Sequence, residues 1–265
     1  MREVAWFLGA HKGEDIKPLS RFFDCFALEA NPNLELELNL ILETGRILTR
    51  ALISPLFQSE LAKEDRTHVT FYSSEDRTTW GTIEVSRFLS GSSHTVFNEL
   101  QVKTIDLRDL ENLWPQPSLI VADLEGSEYE SLVVPMLQRV DYYKDAIFVV
   151  EVSKDNWKEI LSKLQLIYEN FTVVINAEIQ EVEDLSGPQE LKPEKNGGGA
   201  GRVTSSIGHY LATTLIKGNL PSVFTPDPKV TMESWFNSKN TDLKFNFSAW
   251  VDLIAWPSST ETVKV

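Results

Sequence analysis

The chain has 265 residues with 25 basic against 39 acidic side chains, a net charge of −14, and 42% hydrophobic and 24% charged residues. This is an ordinary globular composition, long enough for one large domain, and it excludes disordered, collagen-like and disulfide-framework chains. The acidic excess, with no Lys/Arg cluster to offset it, argues against a nucleic-acid partner, because phosphate backbones repel such a surface.

Met1-Arg2-Glu3-Val4 brings an acid at once, with no apolar core of signal-peptide length, and no window further on reaches the ~18 to 20 apolar residues of a membrane span. The expected setting is a reducing cytoplasm without a membrane partner. Val4 to Leu8 reads as a buried strand ending in the small-residue turn Gly9-Ala10-His11-Lys12-Gly13. A short helix is expected over Glu14 to Arg21, with Pro18 tolerated only in its first turn. Phe23 to Leu28 is a second strand ending at Glu29. Its Cys25 is the chain's single cysteine, which excludes an internal disulfide or a cysteine-based zinc cluster and reads as a small core residue. Asn31-Pro32 then opens a helix running through Leu42, with Asn31 as the cap and Pro32 at the first helical position. Strand, turn, helix, strand, turn, helix is a βαβ unit, hence α/β with a parallel sheet.

Ala51 to Ile53, Val69 to Tyr72 and Thr82 to Val85 are short strand candidates, and residues 86–99 read as an exposed excursion. Val102 to Ile105 is another strand, followed by a helix over Asp106 to Leu113 and a break at Pro115 and Pro117. The α/β alternation continues with strand Ser118 to Ala122, helix Glu130 to Val140, strand Ala146 to Val152, helix Lys154 to Leu166 and strand Asn170 to Ile175. Residues 1–176 are thus read as a cofactor-binding core within a single domain, and 177–265 as a closing segment on the substrate side. In that segment the Gly-rich stretch 186–201 reads as a mobile loop and candidate lid, and Ile207 to Ile216 as a closing strand.

The chemistry-bearing residues fall at predicted C-terminal ends of strands, where open parallel sheets bind ligands. Gly9 and Gly13 permit close backbone approach. The helix that follows is expected to offer N–H groups to a polar or anionic ligand. Glu29, twenty positions after Gly9, is placed to accept hydrogen bonds from two ribose hydroxyls. Together they point to an adenosine-bearing cofactor, either a nicotinamide dinucleotide or S-adenosylmethionine. Asp123-Leu124-Glu125-Gly126-Ser127-Glu128 sets three carboxylates in six residues straight after an apolar run. Crowding raises at least one pKa there, which suits a general base; capping of the next helix or a divalent cation are the competing readings. Glu151 ends the next strand on the same rim. The four histidines are scattered without metal spacing, and His209 is an outside alternative for the base. Trp80, Trp235 and Trp250 are candidates for stacking on a sugar, with core packing the alternative.

These segments resemble the FkbM-type methyltransferases. Phe7-Leu8-Gly9-Ala10-His11-Lys12-Gly13-Glu14-Asp15 is similar to that family's glycine motif, and Leu28-Glu29-Ala30-Asn31-Pro32 to its ribose segment. Val102-Lys103-Thr104-Ile105-Asp106-Leu107-Arg108-Asp109-Leu110 resembles a third block. Ile120-Val121-Ala122-Asp123-Leu124-Glu125-Gly126-Ser127-Glu128 resembles the acidic block, with Phe148 to Val152 following at the family's distance. Phe7, His11 and Ala122 stand where the family usually has an acid, an asparagine and a lysine. The resemblance, over residues 4–152, implies a class I Rossmann-like fold with a mostly parallel seven-stranded sheet and helices on both faces. It implies S-adenosylmethionine as cofactor and methyl transfer to a hydroxyl of a sugar, glycan or glycosylated small molecule; no residue is assigned to a metal. Carried over by position, Gly9, Ala10, His11 and Gly13 line the cofactor's methionine part, and Glu29, with Ala30 and Asn31 beside it, holds the ribose. Asp123, Glu125 and Glu128 face the methyl group and the acceptor, with Asp123 the first choice of base. Two other readings are a nicotinamide-dependent oxidoreductase, for which Tyr142 and Tyr143 lack a lysine four residues on, and a cofactor-fold module without turnover.

Overall fold

A computed structural model of the chain describes residues 2–43, 45–53, 67–74, 81–83, 97–124, 126–174, 207–216, 228–238 and 250–257. It is an α/β structure around a seven-stranded mixed sheet. The sheet strands are β1 (Glu3–Leu8), β2 (Phe23–Glu29), β3 (Ile47–Thr49), β8 (Leu119–Ala122), β9 (Ile147–Ser153), β10 (Asn170–Val174) and β11 (Trp250–Trp256). Their spatial order is β10-β11-β9-β8-β1-β2-β3. All neighbours pair in parallel except β11, which runs antiparallel to both β9 and β10. A second, four-stranded sheet has the order β4-β7-β5-β6, from β4 (Ala51–Leu52), β5 (His68–Ser74), β6 (Gly81–Thr82) and β7 (Phe97–Ile105).

The apolar runs of the central strands exist because both faces of the large sheet are covered. Along β1, Ala5 and Phe7 enter one core, while Trp6 and Leu8 enter the other. The first face is covered by α1 (Ile16–Leu19), α2 (Glu35–Asn39) and α7 (Ile207–Ile216), through Ile16, Leu19, Leu38, Ile207 and Leu211. The second face takes α3 (Leu107–Leu113), α4 (Val134–Leu137), α5 (Val140–Tyr143), α6 (Trp157–Leu164) and α8 (Pro228–Ser238), α8 through Met232. Trp157, Ile160, Leu161 and Leu164 bury one stripe of α6 at helical spacing. Cys25 is a buried free thiol in the first core, its pKa pushed up to about 12 chiefly by burial.

Local signals act as their chemistry requires. Asn31 Oδ1 accepts from Asn33 N–H at 3.1 Å, and Pro32 opens a 3₁₀ turn over Pro32–Leu34 that leads into α2. The helix is shorter than the expected run to Leu42. Asp106 caps α3 by accepting from Asp109 N–H at 2.8 Å. The expected helix Glu130 to Val140 is broken: a π-helical turn over Tyr129–Val133 precedes α4, and α5 starts only at Val140.

Two expectations are corrected. Ile207–Ile216 is a helix, not a closing strand; its N-terminal N–H of Gly208 is satisfied by Asp15 Oδ1 at 2.7 Å, a capping partner 193 positions away. A short apolar run does not separate a buried strand from a buried helix by pattern alone. Residues 97–99 belong to β7 rather than to an excursion: Asn98 and Glu99 are exposed as expected, but they pair with β5, Glu99 opposite Tyr72. The strand that completes the large sheet is β11, inserted between β9 and β10, so Val251, Leu253, Ile254 and Ala255 form part of the core. The Gly-rich stretch 186–201 lies outside the described residues.

Candidate active site

The strand order reverses direction of travel between β1 and β8, the point where a parallel sheet opens a crevice at its carboxyl edge. At this place Gly9 has φ +83° and lies directly on the Asp123 carbonyl; a Cβ at Gly9 would overlap that oxygen. The two turns are stitched together by Asp123 N–H donating to Leu8 O at 2.9 Å and Gly9 N–H donating to Leu28 O at 2.9 Å. Only glycine satisfies both the positive φ and the contact.

Glu29, at the end of β2, is buried, with 7% of its surface exposed. Its Oε2 accepts from His11 N–H and its Oε1 from Asn31 N–H, both at 2.7 Å. Burial raises its pKa, the two backbone donors and His11 oppose that rise, and Asp123 adds to it. The carboxylate therefore ties the turn after β1 to the turn after β2. Ala10 and Gly13 sit in the same turn but face the core: Ala10 packs in the first core, and Gly13, at φ +77°, leaves room for Ile41 and Leu38. Ala30 packs against the small sheet's core of Ala51, Phe71 and Val102. The first N–H groups of α1 are not on offer to a ligand, since Ile16 and Lys17 both donate to Gly13 O at 3.2 Å.

His11 is the one non-glycine residue with positive φ among the described residues, at 46°. Its Nδ1 lies 3.3 Å from Glu14 Oε2, and its Nε2 is buried without a partner among the described residues. Burial lowers the imidazole pKa, but the hydrogen bond and charge of Glu14, with Glu29 behind it, leave it raised.

Asp123 is exposed at the rim. Its charge raises the carboxyl pKa values of Glu29, Glu128 and Asp252, which places Asp123 among all three. Glu128 is 1% exposed, and its Oε1 accepts from Leu124 N–H at 2.8 Å and Gly126 N–H at 3.0 Å, closing the turn that carries Asp123. Its Oε2 is buried without a partner among the described residues. Burial first, and Asp123 second, push the carboxyl up to about 7 against the backbone donors. Glu125 lies outside the described residues.

Two acids complete the rim. Glu151 on β9 is the cross-strand partner of Asp252 on β11. Burial raises the Asp252 carboxyl to about 8, with Asp123 and Asp15 adding to the rise. Asp252 is not among the acids the sequence singles out; the available signal was the apolar stretch Trp250 to Trp256, interrupted only by this acid. His209 and Trp235 lie in α7 and α8 and Trp250 opens β11, while Trp80 is outside the described residues. No group of three His, Cys, Asp or Glu residues with metal-holding geometry occurs among the described residues. No helix among them is long and apolar enough to cross a membrane.

The chain matches no family model, no curated protein and no solved structure.

Proposed function

We propose that the chain is an S-adenosylmethionine-dependent O-methyltransferase on a class I Rossmann-like domain, with a hydroxyl of a sugar, glycan or glycosylated small molecule as acceptor. The observation that carries this reading is the switch point itself, where a glycine-only turn touches the Asp123 backbone and Glu29 braces the same turn from β2. The seven-strand count and the order of the motif blocks, from the glycine turn to the acidic block, support it.

The residues present fit the cofactor. Each Glu29 oxygen accepts one backbone N–H and keeps lone-pair capacity for a ribose hydroxyl. Gly9 lets the turn after β1 close on the Asp123 backbone, and the carboxylates grouped around Asp123 favour a positively charged ligand. When bound, S-adenosylmethionine supplies an activated methyl group on a sulfonium. Asp123, exposed at the rim, is positioned to take the proton from the acceptor hydroxyl as that oxygen attacks, which a neutral hydroxyl requires. Glu128 holds the loop after Asp123 through Leu124 and Gly126, so alignment of the base with the acceptor depends on it.

A second reading, a cofactor-binding module without turnover, is favoured by Phe7 and Ala122. Both positions, polar in the resembling family, are absorbed into the core at 1% and 2% exposure. Calorimetric titration with S-adenosylhomocysteine, with NAD as control, tests the proposal. Micromolar binding of the first and none of the second is expected. Binding of NAD alone, or of neither, overturns it. A tight S-adenosylhomocysteine complex with no methyl transfer to any sugar-bearing acceptor would select the second reading.

A further inference from the structure

The two oxygens of the Glu128 carboxyl are used unequally. Oε1 accepts from Leu124 N–H at 2.8 Å and from Gly126 N–H at 3.0 Å, which occupies both of its lone pairs. Oε2 is buried and has no hydrogen-bond partner among the described residues. A carboxylate in this place leaves a charged oxygen bare in the interior, which costs far more than a bare neutral one. Below about pH 7 the group therefore rests as a carboxylic acid. Its proton sits on Oε2, because Oε1 already serves two donors.

Burial first, and the charge of Asp123 second, keep that proton on against the backbone donors. Asp123 is itself faced by Glu29 from β2 and by Asp252 from β11. Helix α6 packs on the π-helical turn that follows Glu128, with Lys158, Glu159 and Lys163 off its buried stripe. On that turn Glu130 is exposed. The interaction between Glu128 and Asp123 is mutual, so a charge gained by either raises the proton affinity of the other. The turn joins them mechanically too, since Leu124 and Gly126 are the first and third residues after Asp123.

We propose that Glu128 is a positioning residue that also sets the strength of Asp123 as a base: it holds the turn as a neutral acid, and loss of its Oε2 proton sets a second charge against Asp123 while tightening both turn hydrogen bonds. The tightening follows because an ionised acceptor bonds more strongly than a neutral one. Only the consequence for catalysis rests on the methyltransferase reading. A base of higher proton affinity takes the acceptor's proton more readily, so methyl transfer speeds up as Glu128 ionises.

NMR titration of the full-length chain from pH 5 to 9 tests this. The amide protons of Leu124 and Gly126 report the turn, and the carboxyl ¹³C signal of Asp123, assigned by its loss in Asp123→Asn, reports the base. Both are recorded in Asp252→Asn, so that Asp252 adds no step of its own, and in the same background with Glu128→Gln. Gln keeps an acceptor oxygen for the two N–H groups and has no proton to lose in this range. Both amide protons should move downfield with a midpoint of about pH 7, with an inflection of the Asp123 signal at the same midpoint. Glu128→Gln should abolish both steps. Flat amide protons overturn the proposal, because Glu128 then does not change state. So does an amide step without an Asp123 inflection, or an Asp123 inflection that survives Glu128→Gln. If Glu128→Gln loses the wild-type far-UV spectrum, the carboxyl ¹³C signal of Glu128 decides: a midpoint apart from those of the amides and Asp123 overturns the proposal. None of these readouts uses a ligand. The kcat of methyl transfer should rise across the same midpoint in wild type and not in Glu128→Gln; a level wild-type kcat overturns the catalytic consequence. Absence of any methyl transfer refutes the proposed function and leaves the role of Glu128 to the NMR result.

Discussion

Replacing Glu29 by alanine removes the one side chain that joins the first two turns of the sheet. Two backbone N–H groups, of His11 and Asn31, each lose an acceptor at 2.7 Å. An N–H left without a partner away from water costs about 1 to 3 kcal/mol, so the pair sets a ceiling of roughly 6 kcal/mol. Two effects reduce it: burial of the carboxylate, which raises its pKa, no longer has to be offset, and water reaches the part-exposed His11 side of the turn. The expected net loss is about 2 to 4 kcal/mol, which for a chain of this size lowers the thermal midpoint by about 2 to 4 °C per kcal/mol. Urea unfolding of wild type and Glu29→Ala, with the m-value checked for constancy, reads the loss as a shift of the midpoint. Glu29→Gln keeps one acceptor oxygen and turns its NH₂ toward the other N–H, so it regains at most one of the two bonds. A Glu29→Ala stability within about 0.5 kcal/mol of wild type at equal m, the range of an ordinary surface change, would refute the bracing role. If S-adenosylhomocysteine affinity nevertheless fell, the ribose role would stand on its own.

Gly208→Ala should destabilise the chain although alanine is the better helix former, because its Cβ would press on the Asp15 backbone; a rise in the thermal midpoint would contradict the packing of α7 on α1. The carboxyls of Glu128 and Asp252 are raised to about 7 and about 8, above unfolded values near 4. Between about pH 4 and 8 the folded chain therefore holds protons that the unfolded chain has released, and stability falls as pH rises. For the buried Glu128 the fall is up to about 1.4 kcal/mol per pH unit, and it is smaller for the part-buried Asp252. Urea midpoints from pH 5 to 8 should decline in wild type and flatten in Glu128→Gln and Asp252→Asn; a flat wild-type profile is the contrary result. Glu14→Gln should lower the His11 pKa, since Glu14 is what overcomes desolvation there, and an unchanged NMR titration of the imidazole would place the raising charge elsewhere. Asp123→Asn should keep the fold and the affinity for S-adenosylhomocysteine while losing most methyl transfer; normal turnover would move the base to another residue.

The parallel core was legible because its strands are buried on both faces and therefore read as unbroken apolar runs: Val4 to Leu8, Ser118 to Ala122 and Ala146 to Val152 all lie within a residue or two of the observed strands. The caps Asn31 and Asp106 were legible for a different reason, since a short oxygen-bearing side chain before an apolar run satisfies backbone N–H groups locally. What failed depended on distant partners. Ile207 to Ile216 becomes a helix with help from Asp15, and no local pattern records a cap supplied from 193 positions away. The strand β7 begins at Phe97 because β5 pairs with it, while Asn98, Glu99 and Gln101 make that stretch look like a loop. At the rim, Glu29, Asp123 and Glu151 were visible because each ends an apolar run. Asp252 was not, because it stands third in a strand that runs the other way.

That reversal is where fold and chemistry meet. In a fully parallel sheet the strand entering between β9 and β10 would present its last residues at the carboxyl edge, and Asp252 would sit toward the opposite edge, away from Asp123. Antiparallel entry instead places it beside Glu151, two strands from Asp123, on a face whose next position down is the apolar Ile254. A carboxyl there is desolvated by the core and repelled by its acidic neighbours, the two effects that raise it to about 8. Stability alone would favour a valine or threonine at this position. A cationic ligand reverses the balance, because the same burial that penalises the lone carboxylate strengthens its attraction to a positive charge. Asp252→Val should therefore raise the stability of the free chain at pH 8. A variant that is no more stable than wild type would show that Asp252 carries a structural load in β11 beyond its cost as a charge.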